Sequence, residues 1–188
     1  MDKIVKTLDL AEEDSQEFQI ANVDHPAIEM HWEMFDNVLK FEAMPKGLVM
    51  GYAMIPNLEI PRLDKDGNVW YAKFTKETVQ NCFDNFFQSR LTTNINDMHN
   101  TGEFIEGTFT AGGFIVDKEI GLVPPPQFPA VHGGWFHIVR VKNPEHQQDI
   151  INKLRNGFSV EGNFEVVDEE VKDESLIEAV RKIILNQK

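Results

Sequence analysis

Two short stretches carry most of the chemistry this chain could perform. The first is "NGFSVEGN", residues 156 to 163, where Ser159 and Glu161 stand two apart in a strand-like run bounded by Gly157 and Gly162. Alternation along a strand puts those two side chains on one face. The second is "NINDMHN", which gathers Asn94, Asn96, Asp97, His99 and Asn100 into one polar patch between apolar elements. A serine hydroxyl is a weak nucleophile until a base within hydrogen-bond reach takes its proton, and histidine is the usual base. A dense polar patch is costly to bury unless its groups are paired, and functional sites accept that cost. The plainer readings are a structural strand serine and an asparagine-rich turn with an incidental histidine.

The other candidates are weaker. The chain has four serines: Ser15 lies in an acidic segment, Ser89 at a predicted helix C-terminus, and Ser175 in a helix-capping position. His25 and His31 fall in the acidic N-terminal region, and His146 in the first turn of a predicted helix. His137 alternates along a strand, and His132 lies in a Gly/Pro-rich loop. A zinc gathered by His99, His132, His137 and Asp97 is the rival use of these groups, but none has the spacing of H-E-x-x-H. No glycine-rich phosphate loop or dinucleotide fingerprint is present, so no cofactor is expected.

The elements that must position these residues follow from hydrophobic period and punctuation. "GLVMGYAMIPNLEIPR" is β-rich, and its prolines predict an edge or bent strand. "LDKDGNVWYAKF" reads as two strands around a turn, with the glycine two places too early for a calcium loop. "TKETVQNCFDNFFQSR" predicts a helix capped by Thr75, with Val79, Cys82, Phe83, Phe86 and Phe87 on one face. "LTTNINDMHN" is a polar strand or loop, and "EFIEGTFTAGGFIVD" is strand material broken at Gly112–Gly113. "GLVPPPQFPAVHGG" is irregular, and "GWFHIVRVK" alternates as a strand. "NPEHQQDIINKLRNG" predicts a short helix with Asn143 as cap, Pro144 in its first turn and Gly157 as stop. "FSVEGNFEVV" reads as one further strand. A capping box of Ser175 and Glu178 opens an amphipathic helix over Leu176, Ile177, Val180, Ile183 and Ile184. Without regular βαβ alternation, the expected class is α+β, a mainly antiparallel, barrel-like sheet flanked by helices.

At 188 residues the chain is one domain with tails, and 41% apolar residues, 14 of them Phe, supply a core. The expected organisation is an acidic N-terminal segment over 1–35, the main domain over 36–170 and the C-terminal helix over 171–188. With 31 acidic against 18 basic residues, a formal charge of −13, the chain is a poor match for nucleic-acid phosphates. Acidic charge concentrates near both ends, which read as solvated segments. One cysteine, Cys82, excludes an internal disulfide framework and suits a reducing compartment. It falls on the apolar helix face, as a packing residue. No apolar run approaches a membrane span and no signal-peptide pattern opens the chain, so a soluble, intracellular protein is expected.

Taken in order, "VMGYAMIPNLEIPR", "FTKETVQNCFDNFF", "NDMHN", "GGFIVDKE" and "NKLRNGFSVEGNF" resemble the tailed-phage prohead serine proteases, capsid-maturation enzymes related in fold to herpesvirus assemblin. The resemblance covers roughly residues 47 to 165, and the order of His before Ser agrees with it. It implies Ser159 as nucleophile, His99 as general base, and an acyl-enzyme hydrolysed by water. The family carries a third polar residue to orient the histidine, commonly some two dozen residues beyond the serine. Here that region is the predicted terminal helix, so Glu161, with Asp97 as the alternative, takes that place. The implied oxyanion donors are backbone amides near Gly157 or Gly162. The implied partners are phage scaffold and major capsid proteins as substrates, with self-association and self-cleavage also in view. The implied location is the assembling prohead in the host cytoplasm. The contrasting expectation is a head-assembly protein that keeps the protease fold without turnover.

Overall fold

The computed structural model describes residues 2–11, 19–23, 42–44, 47–100 and 103–173. Within them the chain forms β1 (Asp2–Leu10), β2 (Gln19–Val23), β3 (Glu42–Met44), β4 (Leu48–Met54), β5 (Ile60–Leu63) and β6 (Val69–Phe74). Helix α1 (Lys76–Gln88) follows, then β7 (Ile95–Asp97), β8 (Thr108–Ile115) and β9 (Trp135–Val141). Helix α2 (Pro144–Ile151), β10 (Gly157–Glu161) and β11 (Phe164–Asp173) complete the order. The class is α+β, dominated by sheet.

The expected barrel is not formed. Strands are shared among three separate sheets, ordered β11-β1-β6-β5, β10-β2-β7 and β3-β4-β9-β8, and none closes on itself. The β1–β6 and β2–β7 pairings are parallel, whereas the third sheet is antiparallel throughout. Two local features keep the sheets open. Pro61 lacks a backbone donor, and its strand β5 ends a sheet, as its type requires. The "FSVEGNFEVV" run, expected as one strand, breaks at Gly162–Asn163, so β10 pairs with β2 while β11 pairs with β1.

The N-terminal segment departs furthest from expectation. Far from being a solvated tail, β1 lies between β11 and β6 with Val5 fully buried, and β2 is the central strand of the β10-β2-β7 sheet. The acidic run after residue 164 is likewise strand β11. Its Glu169 and Glu170 pair with Lys6 of the adjacent β1 and Lys73 of β6 beyond it, so part of the acidic charge is met by cross-strand lysines. The predicted helix from Ser175 onward lies outside the described residues.

Helix α1 forms as its pattern dictates. Thr75 caps it by accepting from the Thr78 N–H, and Val79, Cys82 and Phe86 are buried. Phe86 meets the Trp135 and His137 rings of β9 at 5.4 and 5.7 Å between centroids. His137 in turn meets the Phe158 ring edge-on at 5.3 Å. This aromatic chain runs from α1 through β9 to β10 and fixes the inner face of the strand that carries Ser159. Gly113 belongs to the same junction. A Cβ there would approach the Phe136 carbonyl at 3.1 Å and Trp135 Nε1 at 3.3 Å, so Gly113 permits close packing on β9, and β8, expected to break at Gly112–Gly113, runs through both with only a register shift between Thr110 and Gly112.

Candidate active site

The site is built on the three-stranded sheet. Gly157, Ser159 and Glu161 of β10 stand opposite Val23, Ala21 and Gln19 of β2, and Ala21 stands opposite Asn96 of β7. Paired residues share a face. Ile20, Ile95 and Phe158 point into the core, and the opposite face carries Gln19, Ala21, Asn96, Ser159 and Glu161. Ala21 in the middle of that face has only a methyl group, so side chains from β7 and the turn after it can reach over β2 to β10.

Two of them do. Asn96 Nδ2 donates to Glu161 Oε2 at 2.7 Å and to Gln19 Oε1 at 2.8 Å. His99 Nδ1 stands 2.6 Å from Glu161 Oε1. A carboxylate only accepts, so the ring nitrogen is the donor, and in the neutral imidazole Nε2 then keeps its lone pair. His99 is 43% exposed and Glu161 22% exposed by side chain, whereas Asn96 is fully buried and Ser159 only 5% exposed.

The turn after β7 aims the imidazole. Met98 and His99 both adopt left-handed backbone, with φ of 53° and 60°, which is uncommon for non-glycine residues and rarer still in succession. The turn is held by hydrogen bonds from Met98 N–H to the Asn22 carbonyl and from Asn100 N–H to the Asp97 carbonyl. It sends the chain back over the sheet instead of extending β7, and His99 faces β10 as a result.

Asp97, the alternative partner for His99, is engaged elsewhere. It points to the other face of β7, where Arg155 grips it in a forked pair: Nε to Oδ1 at 2.5 Å and Nη2 to Oδ2 at 2.7 Å. That guanidinium holds the Asp97 carboxyl below the usual range. The pair ties the segment entering β10 to β7. Beside it, Asn22 Nδ2 bonds His146 Nε2 at 2.8 Å and docks the first turn of α2 under β2.

The remaining histidines serve other contacts. His137 is wholly buried, with Nε2 3.2 Å from Thr110 Oγ1, and burial pushes it down to about 3. His132 Nδ1 lies 3.9 Å from Asp117, and His25 and His31 lie outside the described residues. Four proposed zinc donors are thus dispersed, and no group of three or more metal-ligating side chains gathers among the described residues.

A cleft of about 310 Å³ adjoins the site. Ser159, Val160, Glu161 and Gly162 line it, together with Ile60, Phe74 and Arg62 among others. The backbone register decides which amides face it. Ile20 N–H bonds Asn94 and the Asn22 carbonyl accepts from Met98, so these residues turn toward β7. Gln19, Ala21 and Val23 therefore turn toward β10, and Ser159 and Gly157 bond back to β2. Val160 points its N–H and C=O away from β2. Of the two glycines considered as oxyanion donors, Gly157 is committed to β2, whereas Gly162 follows the strand and lines the cleft.

No family model, curated protein or solved structure matches this chain. Sequence reasoning named Ser159, His99 and Glu161, and the structure places Ser159 and Glu161 on one strand face with His99 bonded to Glu161. It does not reach Gln19, because the acidic residues around β2 read as a solvated tail. A period-two signal was present in "QIANV", with Ile20 buried on one side and Gln19 and Ala21 on the other. Among the described residues no helix is long and apolar enough to cross a membrane.

Proposed function

We propose that this chain is a serine endopeptidase of the prohead type, with Ser159 as nucleophile, His99 as general base and Glu161 as the carboxylate that orients His99. The observation that carries the reading is the 2.6 Å contact between His99 and a carboxylate two residues from Ser159 on the same strand face. A nucleophilic hydroxyl, an imidazole and an acceptor carboxylate are the three parts of an acyl-transfer site, in whatever chain order they come.

In the proposed reaction a peptide carbonyl enters the cleft beside Ser159. His99 Nε2 takes the hydroxyl proton as Oγ attacks, and Glu161 holds the Nδ1–H and stabilises the imidazolium that forms. The imidazolium then gives its proton to the departing amine, leaving an acyl-Ser159 ester. Water, deprotonated by the same nitrogen, attacks that ester, and the imidazolium returns the proton to the departing Ser159 Oγ as the acid is released. The Gly162 amide is the donor assigned to the oxyanion. Scaffold and capsid proteins as substrates, self-cleavage and a place inside the prohead belong to this reading and rest on the sequence resemblance.

One observation favours a second reading. Ser159 is only 5% exposed, which suits a head-assembly protein that keeps the fold without turnover. A fluorophosphonate probe separates the two. Labelling of Ser159 that disappears in His99→Ala supports the endopeptidase, and a folded, assembled sample that takes no label supports the assembly protein.

A further inference from the structure

We infer that Asn96 is a positioning residue for the site, a buried amide that fixes the rotamer of Glu161 and so decides which nitrogen of His99 carries the proton. The inference rests on the proposed endopeptidase but can be read without turnover.

Asn96 is fully buried on the middle of a three-residue row, and its Nδ2 has two hydrogens and two acceptors, Gln19 Oε1 and Glu161 Oε2. The orientation of the amide follows from chemistry. An ionised carboxylate cannot donate, so the group facing Glu161 must be the NH₂. The consequence is visible at the other end, where Asn96 Oδ1 is buried with no hydrogen-bond partner among the described residues. A buried unsatisfied carbonyl is destabilising, and a hydrocarbon of the same shape would avoid that cost. The cost is explained if the amide serves Glu161.

With Oε2 held by Asn96, Oε1 is left for His99. A protonated Glu161 could instead donate to Nδ1 and would leave Nε2 protonated, unable to act as a base. The Asn96 donor on Oε2 holds the carboxylate with Oε1 turned to accept from His99 Nδ1–H. Gln19 completes the arrangement. It stops the amide from rotating, since turning Oδ1 toward Glu161 would set two acceptors against each other.

The test uses the full chain carrying Asn96→Leu, which keeps shape and removes the donor, together with Glu161→Ala and the double variant. Asn96→Ser, whose hydroxyl is too short to span β2, stands in if Leu is not accommodated. The first readout is the ring ¹⁵N shifts of neutral His99. The wild type should show the Nδ1–H tautomer, and both single variants should shift toward Nε2–H. The second is the rate of fluorophosphonate labelling at Ser159. Asn96→Leu should slow it about 10- to 100-fold, by analogy with the scale on which outer partners of metal-bound histidines act, and the double variant should be no slower than Glu161→Ala. An unchanged His99 tautomer in folded Asn96→Leu overturns the inference. So does an equal further slowing in the Glu161→Ala background, which would mean that Asn96 acts without Glu161. A wild type that takes no label removes the endopeptidase reading, while the tautomer readout still decides the role of Asn96.

Discussion

His99 and Glu161, sixty-two positions apart, meet across an intervening strand: Nδ1 of one lies 2.6 Å from Oε1 of the other. The contact depends on Ala21, a methyl group between them, and on two successive left-handed residues at the end of β7. In the proposed reaction Glu161 orients and stabilises the base. Glu161→Ala should therefore slow fluorophosphonate labelling of Ser159 by about 10²–10⁴-fold, the range of a lost general-base contribution. Circular dichroism should show the fold retained.

Asp97 serves as the matched control. Its carboxylate is bound by Arg155 on the opposite face, and it is partly exposed, so Asp97→Asn should lower stability by only about 1 kcal/mol. Labelling should stay within a few-fold of wild type. Denaturant midpoints and labelling rates on the same samples check both statements. A loss of labelling as large as that of Glu161→Ala would transfer the orienting role to Asp97.

His137 makes stability depend on pH. Burial holds its folded-state value at about 3, well below the ordinary histidine range near 6.5. Between those values the unfolded chain binds a proton there and the folded chain does not. Stability contributed by this site is therefore complete above about pH 6.5 and is lost as pH falls toward 3. Near pH 5 wild type should take up about one proton more on unfolding than His137→Phe, read from the slopes of unfolding free energy against pH.

Cys82 reports on the same core. Its thiol is buried on α1 and pushed up to about 12, chiefly by desolvation. At pH 8 a thiol reagent should modify it only as fast as the protein unfolds. Phe86→Ala, which removes the ring between α1, Trp135 and His137, should cost about 3–5 kcal/mol and speed that modification accordingly.

Local pattern made α1, α2 and β9 legible, because each combines a clear period with its own punctuation: Thr75 for α1, Asn143 and Pro144 for α2, and glycines before β9. Ser159, His99 and Glu161 could be named for similar reasons, as a rare hydroxyl, a crowded imidazole and a carboxylate at strand spacing. What stayed hidden was non-local. Nothing near residue 20 says that "QIANV" becomes a central strand, since its partners begin at residues 95 and 157. Composition also misled. Charge in β1 and β11 reads as a solvated tail, yet the two strands pair along nearly their whole length and offset one another's charges. The break at Gly162 was missed because one glycine in an apolar run does not reveal that the chain changes sheets.

The most direct measurement is mass-spectrometric mapping of a fluorophosphonate on the full chain, compared with His99→Ala and Glu161→Ala. A single adduct on Ser159 in wild type, sharply slowed in both variants, is the predicted result. Labelling of Ser159 at an unchanged rate in both variants, or no adduct on a folded wild type, would contradict it.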